Sequence, residues 1–399
     1  MKVLMANKFF HLNGGSERVF FQERELLQKK GIAVIDFSMQ DRRNFDSVYA
    51  GLFVDNINYE STEGFSRKLK TALSFIHSAE AVRKLEKLLT QERPDVAHLH
   101  NIYHQLTPSI ITVLKRHGIK VALTLHDYKL LCPSYLALNH GHICTACNGK
   151  AFWKSVTHHC QDSRMQELLL AGEGLWHLWR RSYEAVDVFI APSQFLADLT
   201  SRRIPQEKIH ILRNGINLDE YSSPYADRGY ILYFGRLSKE KGIRTLLEAH
   251  SKLNSAIPLQ VVGSGPLAES LQSAYPDVQF IGYKTGTELH DLIREAALVV
   301  VPSECYENCS MSVLEAMASG KAVIGSNLGG LPEQIEDGVS GFLFEPGNAH
   351  DLAEKMNRLM QDRALRQDMG MAGRKIIEEK FSLHEHGDKL ICIYRQLCN

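Results

Sequence analysis

Short apolar runs rich in β-branched residues alternate along this chain with stretches whose apolar positions recur every three to four residues. Runs of the first kind read as buried parallel strands, and stretches of the second kind as helices lying on them. In the first half, strands are expected at 2–6, 32–37, 95–100, 120–125 and 187–191. Helices are expected at 16–30, with Val19, Phe20, Leu26 and Leu27 turned inward, at about 109–117 and at 173–183. The alternation restarts beyond a Gly-, Asn-, Ser- and Pro-containing stretch near 205–225. Strands follow at 230–234, 259–262, 278–282, 298–301 and 320–325, with a short one in 338–345. Helices are expected at 287–296, 349–361, 364–380 and 383–396. Two successive βα series predict an α/β chain of two domains.

Length agrees, since 399 residues exceed what one ordinary core holds. Lys+Arg and Asp+Glu both total 46, so the whole chain has no strong polarity and no nucleic-acid partner is expected. The apolar start 1–6 is too short for a signal peptide, and no apolar run approaches the ~20 residues of a membrane span. The eight cysteines cluster locally, which suits a reducing cytoplasm. One basic amphipathic stretch stands out at 65–76. It puts Phe65, Leu69, Leu73 and Ile76 on one face and Arg67, Lys68 and Lys70 around the other, and Arg83, Lys84 and Lys87 extend the charge toward residue 93. Such a helix can lie on an anionic membrane surface or simply cover a core with a solvated face.

The candidate chemistry sits where strands end. After the run 298–301, Pro302 opens a polar loop carrying Glu307, Asn308, Cys309 and Ser310. A helix expected from Ser312 carries Glu315. Loops at the carboxyl ends of strands bind ligands in open α/β sheets, and a helix start favours anions. The two carboxylates can hold a ligand or act as an acid/base pair. After the first strand, Gly14-Gly15 permit positive φ and close backbone approach, and Ser16 can cap the next helix. This turn suits a phosphate or sugar contact, or a plain tight turn. His126-Asp127 leaves the 120–125 strand, where His126 can donate to a sugar hydroxyl or stay structural. Arg236 and Lys241 leave the 230–234 strand as two permanent cations, a clamp for a diphosphate or ordinary solvated charge. Gly263-Ser264-Gly265 lacks the further glycine and acidic strand end of a dinucleotide fingerprint. Cys144-Thr145-Ala146-Cys147 with Cys132 and Cys160 can close a tetrahedral structural zinc site, with His140, His142, His158 and His159 as competing ligands. The alternative is four reduced cysteines without metal.

In one order, Gly14-Gly15-Ser16-Glu17-Arg18, His126-Asp127, Arg213-Asn214-Gly215-Ile216-Asn217, Gly235-Arg236 with Lys241-Gly242, Val262-Gly263-Ser264-Gly265-Pro266, Glu307 to Glu315, and Gly329-Gly330-Leu331-Pro332-Glu333 closely resemble the family-4 retaining glycosyltransferases. The resemblance spans nearly the whole chain and is most specific over 230–346. It implies the GT-B fold: two Rossmann-like domains facing across a cleft, with the C-terminal helix returning to the N-terminal domain. The corresponding division is 1–210 for acceptor binding, 211–381 for nucleotide-sugar binding, and 382–399 for the returning helix.

By that resemblance Arg236 and Lys241 hold the donor diphosphate, Glu315 the ribose, and Glu307 the hydroxyls of the transferred sugar. The amides near Cys309, Ser310 and Met311, with Asn308 beside them, meet sugar or phosphate. Gly14 and Gly15 approach the same phosphate, Gly263 lies in the base-reading loops, and His126 contacts the donor sugar near the reacting carbon. The implied reaction moves a hexosyl unit from a UDP- or GDP-sugar, with retention and without a required metal, to a saccharide or lipid-linked acceptor in cell-surface polysaccharide synthesis. That acceptor class would place the enzyme in the cytoplasm or on the inner face of the cell membrane. Ser16 stands where many relatives have Ala, and Cys305 and Cys309 are unusual and would make the pocket thiol-reactive. A sugar-nucleotide epimerase of the same fold and a non-catalytic nucleotide-sugar-binding subunit are the competing readings.

Overall fold

The computed structural model describes residues 1–56, 73–221, 225–253 and 257–399. The chain divides into two compact units, one of residues 1–139, 144–212 and 386–399, the other of residues 140–143 and 213–385.

In the first unit, β1 (Lys2–Ala6), β2 (Ala33–Phe37), β3 (Val96–Leu99), β4 (Lys120–Thr124), β5 (Val188–Ala191) and β6 (Ile209–Ile211) form one sheet in the order β2-β1-β3-β4-β5-β6. Every pairing is parallel. Val3, Leu4, Met5 and Ala6 are all 0% exposed, so β1 is covered on both faces, as an unbroken apolar run requires. Its helices are α1 (Gly15–Lys29), α2 (Ala79–Gln91), α3 (Ser109–Arg116), α4 (Arg164–Trp179) and α5 (Gln194–Thr200). Val19, Phe20, Leu26 and Leu27 of α1 are buried as expected, and so are two carboxylates of that helix, Glu17 and Glu23.

The second unit repeats the plan with β7 (Ile231–Phe234), α6 (Ile243–His250), β8 (Leu259–Val262), α7 (Ala268–Ala274), β9 (Gln279–Gly282), α8 (Gly286–Glu295), β10 (Leu298–Val301), α9 (Met311–Ala318), β11 (Ala322–Ser326), α10 (Leu331–Gln334), β12 (Gly341–Phe344), α11 (Ala349–Gln361) and α12 (Arg363–Lys380). Its sheet is also parallel, ordered β9-β8-β7-β10-β11-β12. The last helix, α13 (Leu383–Cys398), begins in the second unit and continues into the first from His386. There Leu390, Ile391, Ile393 and Tyr394 join the first unit's core with Val3, Phe20 and Val96.

Three local expectations change. Within the stretch near 205–225 where no strand is expected, residues 209–211 pair with β5 and complete the first sheet. The helix expected at 173–183 begins nine residues earlier, at Arg164, and ends at Trp179. Of the basic stretch 65–76, residues 65–72 lie outside the described residues. Beyond them Leu73 is 60% exposed, whereas Phe75 is buried and stacks on His104 at 4.0 Å. Among the described residues no helix is long and apolar enough to cross a membrane.

Candidate functional site

In the second sheet the strand order reverses between β7 and β10, whose outgoing loops are 235–242 and 302–310. Ligands of open α/β sheets bind at such a switch point. Close packing fixes both loops. Gly242 has φ +66°, and a Cβ there would lie 1.8 Å from the Pro302 carbonyl oxygen, so only glycine lets them meet. At Gly330 a Cβ would lie 2.0 Å from the Asn308 oxygen, while its N–H donates to Glu307 O at 2.6 Å. The glycines of 329–330 therefore seat the Glu307 loop from the β11 side.

The loops bring Lys241 Nζ to Glu307 Oε1 at 2.6 Å, and Ser303 Oγ donates to the same oxygen at 2.6 Å. Burial works against the Lys241 charge, yet Glu307 and Cys305 beside it hold its pKa above the ordinary lysine value. Arg236 is exposed on the same loop as Lys241. Glu315 lies 3% exposed in α9. The two cations and two carboxylates that the sequence singles out thus come from adjacent loops and one helix of the same switch point. The direct Lys241–Glu307 pair was not foreseen.

Several single-residue expectations are corrected. Helix α9 starts at Met311, and the Ser310 N–H donates to Gln334 Oε1 at 2.7 Å while Gln334 Nε2 donates back to Ser310 O at 3.0 Å. The Ser310 amide is therefore committed within the protein rather than aimed at a ligand. Gln334, missed from sequence, is the clamp; its only signal was its place just beyond the Gly329-Gly330 loop. Asn214 Nδ2 similarly donates to Cys309 O at 3.2 Å. Cys305 and Cys309 are buried and their thiols are pushed up to about 12, so they stay protonated and unreactive. Gly263 has φ +140° with the Gly235 oxygen 1.9 Å from where a Cβ would stand, a loop-to-loop contact that explains the glycine without a ligand.

In the first unit, Gly14 is extended (φ −172°) and is itself the N-cap of α1, which Gly15 begins. Positive φ is not what this glycine supplies. Ser16 is inside the helix, where its Oγ donates to Glu17 Oε2 at 3.1 Å instead of capping. A small hollow of about 20 Å³ lies at the carboxyl ends of β3 and β4, lined by His100, Tyr103, His126, Asp127, Lys129 and Tyr183 among others. His126 Nε2 and His100 Nδ1 share a hydrogen at 2.8 Å. Behind them Glu23 Oε2 stands 3.4 Å from His100 Nε2 and 3.4 Å from His98 Nδ1, and His386 Nε2 meets Glu23 Oε1 at 3.0 Å. Burial drives His126 down to about 4, His104 to about 2 and His100 well below the ordinary value, so these imidazoles are neutral at pH 7. Burial opposes the Glu23 charge, but His98 and the hydrogen bond from His386 hold its pKa below the ordinary carboxylate value. Burial raises Asp127 to about 7, opposed by the Lys129 N–H and the charges of Lys129 and Lys8. His126 is thus a neutral ring oriented from behind, suited to exchange hydrogen bonds with a hydroxyl.

Cys132 and Cys147 are buried, Cys144 and Cys160 half-buried, and none is in a disulfide. Among the described residues the one group of three possible metal-ligating atoms within 4.8 Å of one another is Glu23, His98 and His100. The four sulfurs therefore stand wider than closed coordination. They are still close enough that Cys132, Cys160 and Cys144 help burial push Cys147 up to about 12.

Residues 13–220 match the family described as Glycosyltransferase Family 4, and residues 218–376 the family described as Glycosyl transferases group 1. The chain is similar to the lipopolysaccharide 1,2-N-acetylglucosaminetransferase of Salmonella typhimurium, 32% identical over 221 residues, which cover 48% of this chain and 58% of that protein. It is also similar to the alpha-maltose-1-phosphate synthase of Mycolicibacterium smegmatis, 28% identical over 346 residues, 77% of this chain and 80% of that one. Matches to the sulfoquinovosyl transferase of Arabidopsis thaliana and to an uncharacterised glycosyltransferase of Methanocaldococcus jannaschii span 44% and 61% of those proteins, so the chain covers about half the length of several curated relatives. Among solved structures, sucrose-phosphate synthase from Thermosynechococcus elongatus superposes with a TM-score of 0.74 at 20% identity, over 99% of this chain and 98% of that one. Anabaena HepE in complex with UDP-glucose gives 0.67 at 17% identity, over 99% and 100%. These likenesses show the GT-B fold. With the first family match alone running from residue 13 to residue 220 of 399, the chain belongs to Glycosyltransferase Family 4.

Proposed function

We propose that this protein is a retaining glycosyltransferase that moves a hexosyl unit from a UDP- or GDP-sugar to a hydroxyl of a saccharide or lipid-linked acceptor in cell-surface polysaccharide synthesis. The observation that carries the reading is the Lys241–Glu307–Ser303 grouping, set beside Arg236 at the switch point of the second sheet. An ammonium has three donors, and one is spent on Glu307, so two remain for phosphate oxygens. Arg236 adds a planar fork suited to the same diphosphate. Glu307, held from both sides, offers its carboxylate to sugar hydroxyls, and Glu315 is assigned the ribose.

The chemistry follows from charge. As the bond from the anomeric carbon to phosphate oxygen breaks, negative charge collects on the nucleoside diphosphate and positive character on the carbon. Fixed cations stabilise the first without reorganising. The acceptor oxygen then attacks from the face the phosphate leaves, and a phosphate oxygen takes the acceptor's proton, so configuration is retained without an enzymic nucleophile. The cations supply charge of the kind a divalent ion would otherwise bring. In the first unit, neutral His126 is assigned a sugar hydroxyl.

The named relatives support the substrate class. The Salmonella protein's name gives N-acetylglucosamine transfer to lipopolysaccharide, another relative is an amylovoran biosynthesis glycosyltransferase of Erwinia amylovora, and HepE was solved with UDP and with UDP-glucose. A panel of nucleotide sugars tests the reading: the cognate donor at ~100 Kd adds about 2.7 kcal/mol of stability. Incubation with extracted membrane acceptors then yields a product whose anomeric configuration matches the donor by NMR. Donor consumed without acceptor would point to the epimerase, and inverted product would end the retaining assignment. Peripheral attachment through the basic 65–93 segment belongs to the same proposal, and equal sedimentation with neutral and anionic vesicles would remove it.

A further inference from the structure

We propose that Cys132, Cys144, Cys147 and Cys160 are the four ligands of a structural Zn²⁺ that staples the segment leaving β4. This inference is independent of the glycosyltransfer reading.

Backbone hydrogen bonds tie together, pair by pair, the stretches that carry the four cysteines. Gly149 N–H donates to Leu131 O at 3.0 Å, which lays the Cys132 strand of the loop against the Cys144–Cys147 turn. Cys144 N–H donates to Ala137 O at 2.8 Å, closing the excursion between the first cysteine and the second. Ser155 joins the last two: its backbone N–H reaches the Cys147 sulfur, and its carbonyl accepts from Cys160 N–H at 3.1 Å. Cys147 lies within electrostatic reach of the other three, and Cys160 within reach of Cys132 and Cys144. The rival imidazoles, His140, His142, His158 and His159, are all exposed, so the sulfurs are the ligands turned inward.

The conformation of the segment is a second observation. Tyr135, Ala137, Asn148 and His159 take positive φ between +45° and +57°, which residues with a side chain adopt only where their surroundings dictate it. Regular structure nearby is slight: two-residue strands at Leu138–Asn139 and His142–Ile143 and one helical turn at Lys154–Thr157. Tyr128, Leu130, Leu131, Ala137 and Phe152 are the segment's buried apolar residues beside the thiols, a small core for a loop of this length. Four neutral thiols do not attract one another, which fits their wide spacing. A zinc ion at about 2.3 Å from each sulfur supplies the attraction that is otherwise absent. Four protein ligands leave no open coordination position, so the role is structural.

The staple bears on the hollow beside His126. Lys129, three residues further on, donates through Nζ to Pro133 O at 2.9 Å, next to Cys132, and to Glu173 Oε2 of α4 at 2.6 Å. Tightening the cysteine knot therefore fixes the wall that follows His126 and Asp127.

The full-length chain, purified reduced and without chelator, decides the matter by metal analysis and by mercurial titration with a zinc indicator. The expected result is about one zinc per chain, released as about four thiols react. The Cys144→Ser/Cys147→Ser pair loses at least ~10-fold in bound zinc, whereas Cys392→Ser/Cys398→Ser, at the exposed cysteines, keeps it. Wild type should also lose thermal stability on chelation and regain it with zinc alone, a readout that stands even if the double variant does not fold. Zinc below about a tenth per chain after adding the metal alone to reduced protein overturns the proposal. Undiminished zinc in the Cys144/Cys147 variant overturns it too.

Discussion

Lys241 and Glu307 illustrate what changes between a list of residues and a site. From sequence they carry separate tasks; in the structure one oxygen of Glu307 takes hydrogen bonds from Lys241 and Ser303. Replacing Glu307 by Gln keeps the shape but removes the charge that opposes the lysine, so Lys241 is held less firmly. The expected result is a loss of about 10²–10³ in kcat with donor KM changed less, read from initial rates. A raised donor KM with kcat unchanged would assign the residue to simple binding. Glu23 makes a second residue-scale case. It is 1% exposed, pairs with His386 Nε2 at 3.0 Å and stands 3.4 Å from His98 and His100, so Glu23→Leu removes a buried hydrogen bond and the carboxylate those rings face. Denaturant unfolding should show a cost of about 1–3 kcal/mol, and an unchanged midpoint would mean the ring satisfies itself. Neither cluster could be read as such from sequence, because Glu23 and His386 are 363 positions apart and meet only through the fold.

At the scale of elements, strands were the most legible features and loop contacts the least. Continuous β-branched runs such as 298–301 have few alternatives, and the 230–234 and 259–262 runs likewise became β7 and β8. A strand as short as β6, with Ile211 40% exposed, carries too little pattern to assign to one sheet or the other. The glycines were legible as turns, but their reason was not: Gly242 and Gly330 are required by another loop's carbonyl, and Gly14 needs no special backbone angle. Gly330→Ala tests this directly, since its Cβ would meet the Asn308 oxygen at 2.0 Å. Moving the Glu307 loop to make room should lower stability by about 1–3 kcal/mol and cut transfer together, whereas Gly338→Ala offers a contrast, with open space around the position and strain only from φ +76°. If Gly330→Ala retained full activity and stability, the loop would not be seated as described.

The whole molecule combines these parts into a pH response. Burial keeps His126 and His177 unprotonated until about 4 and His104 until about 2, against an ordinary value of 6.5. Below 6.5 the unfolded chain takes up protons that the folded chain refuses, so stability is full above that value and falls as pH drops toward the folded ones. Each such histidine contributes a slope of about 1.4 kcal/mol per pH unit in that window. Asp127, raised to about 7, has the opposite sign: its contribution is lost as pH rises through its folded value. Urea midpoints should therefore drop steeply from pH 6.5 to 5, and a flat profile would contradict the buried neutral ring.

The family and fold were readable because their motifs are short, ordered and spread over both sheets; the sugar and acceptor were not, because loop shape rather than motif decides them. The central claim is that Lys241 carries the leaving diphosphate's charge. The most direct test is single-turnover transfer from the cognate nucleotide sugar by Lys241→Ala beside wild type at saturating donor. A fall of about 10²–10³ in the chemical step is the result expected, with retained configuration in the residual product. An unchanged rate would place the chemistry elsewhere.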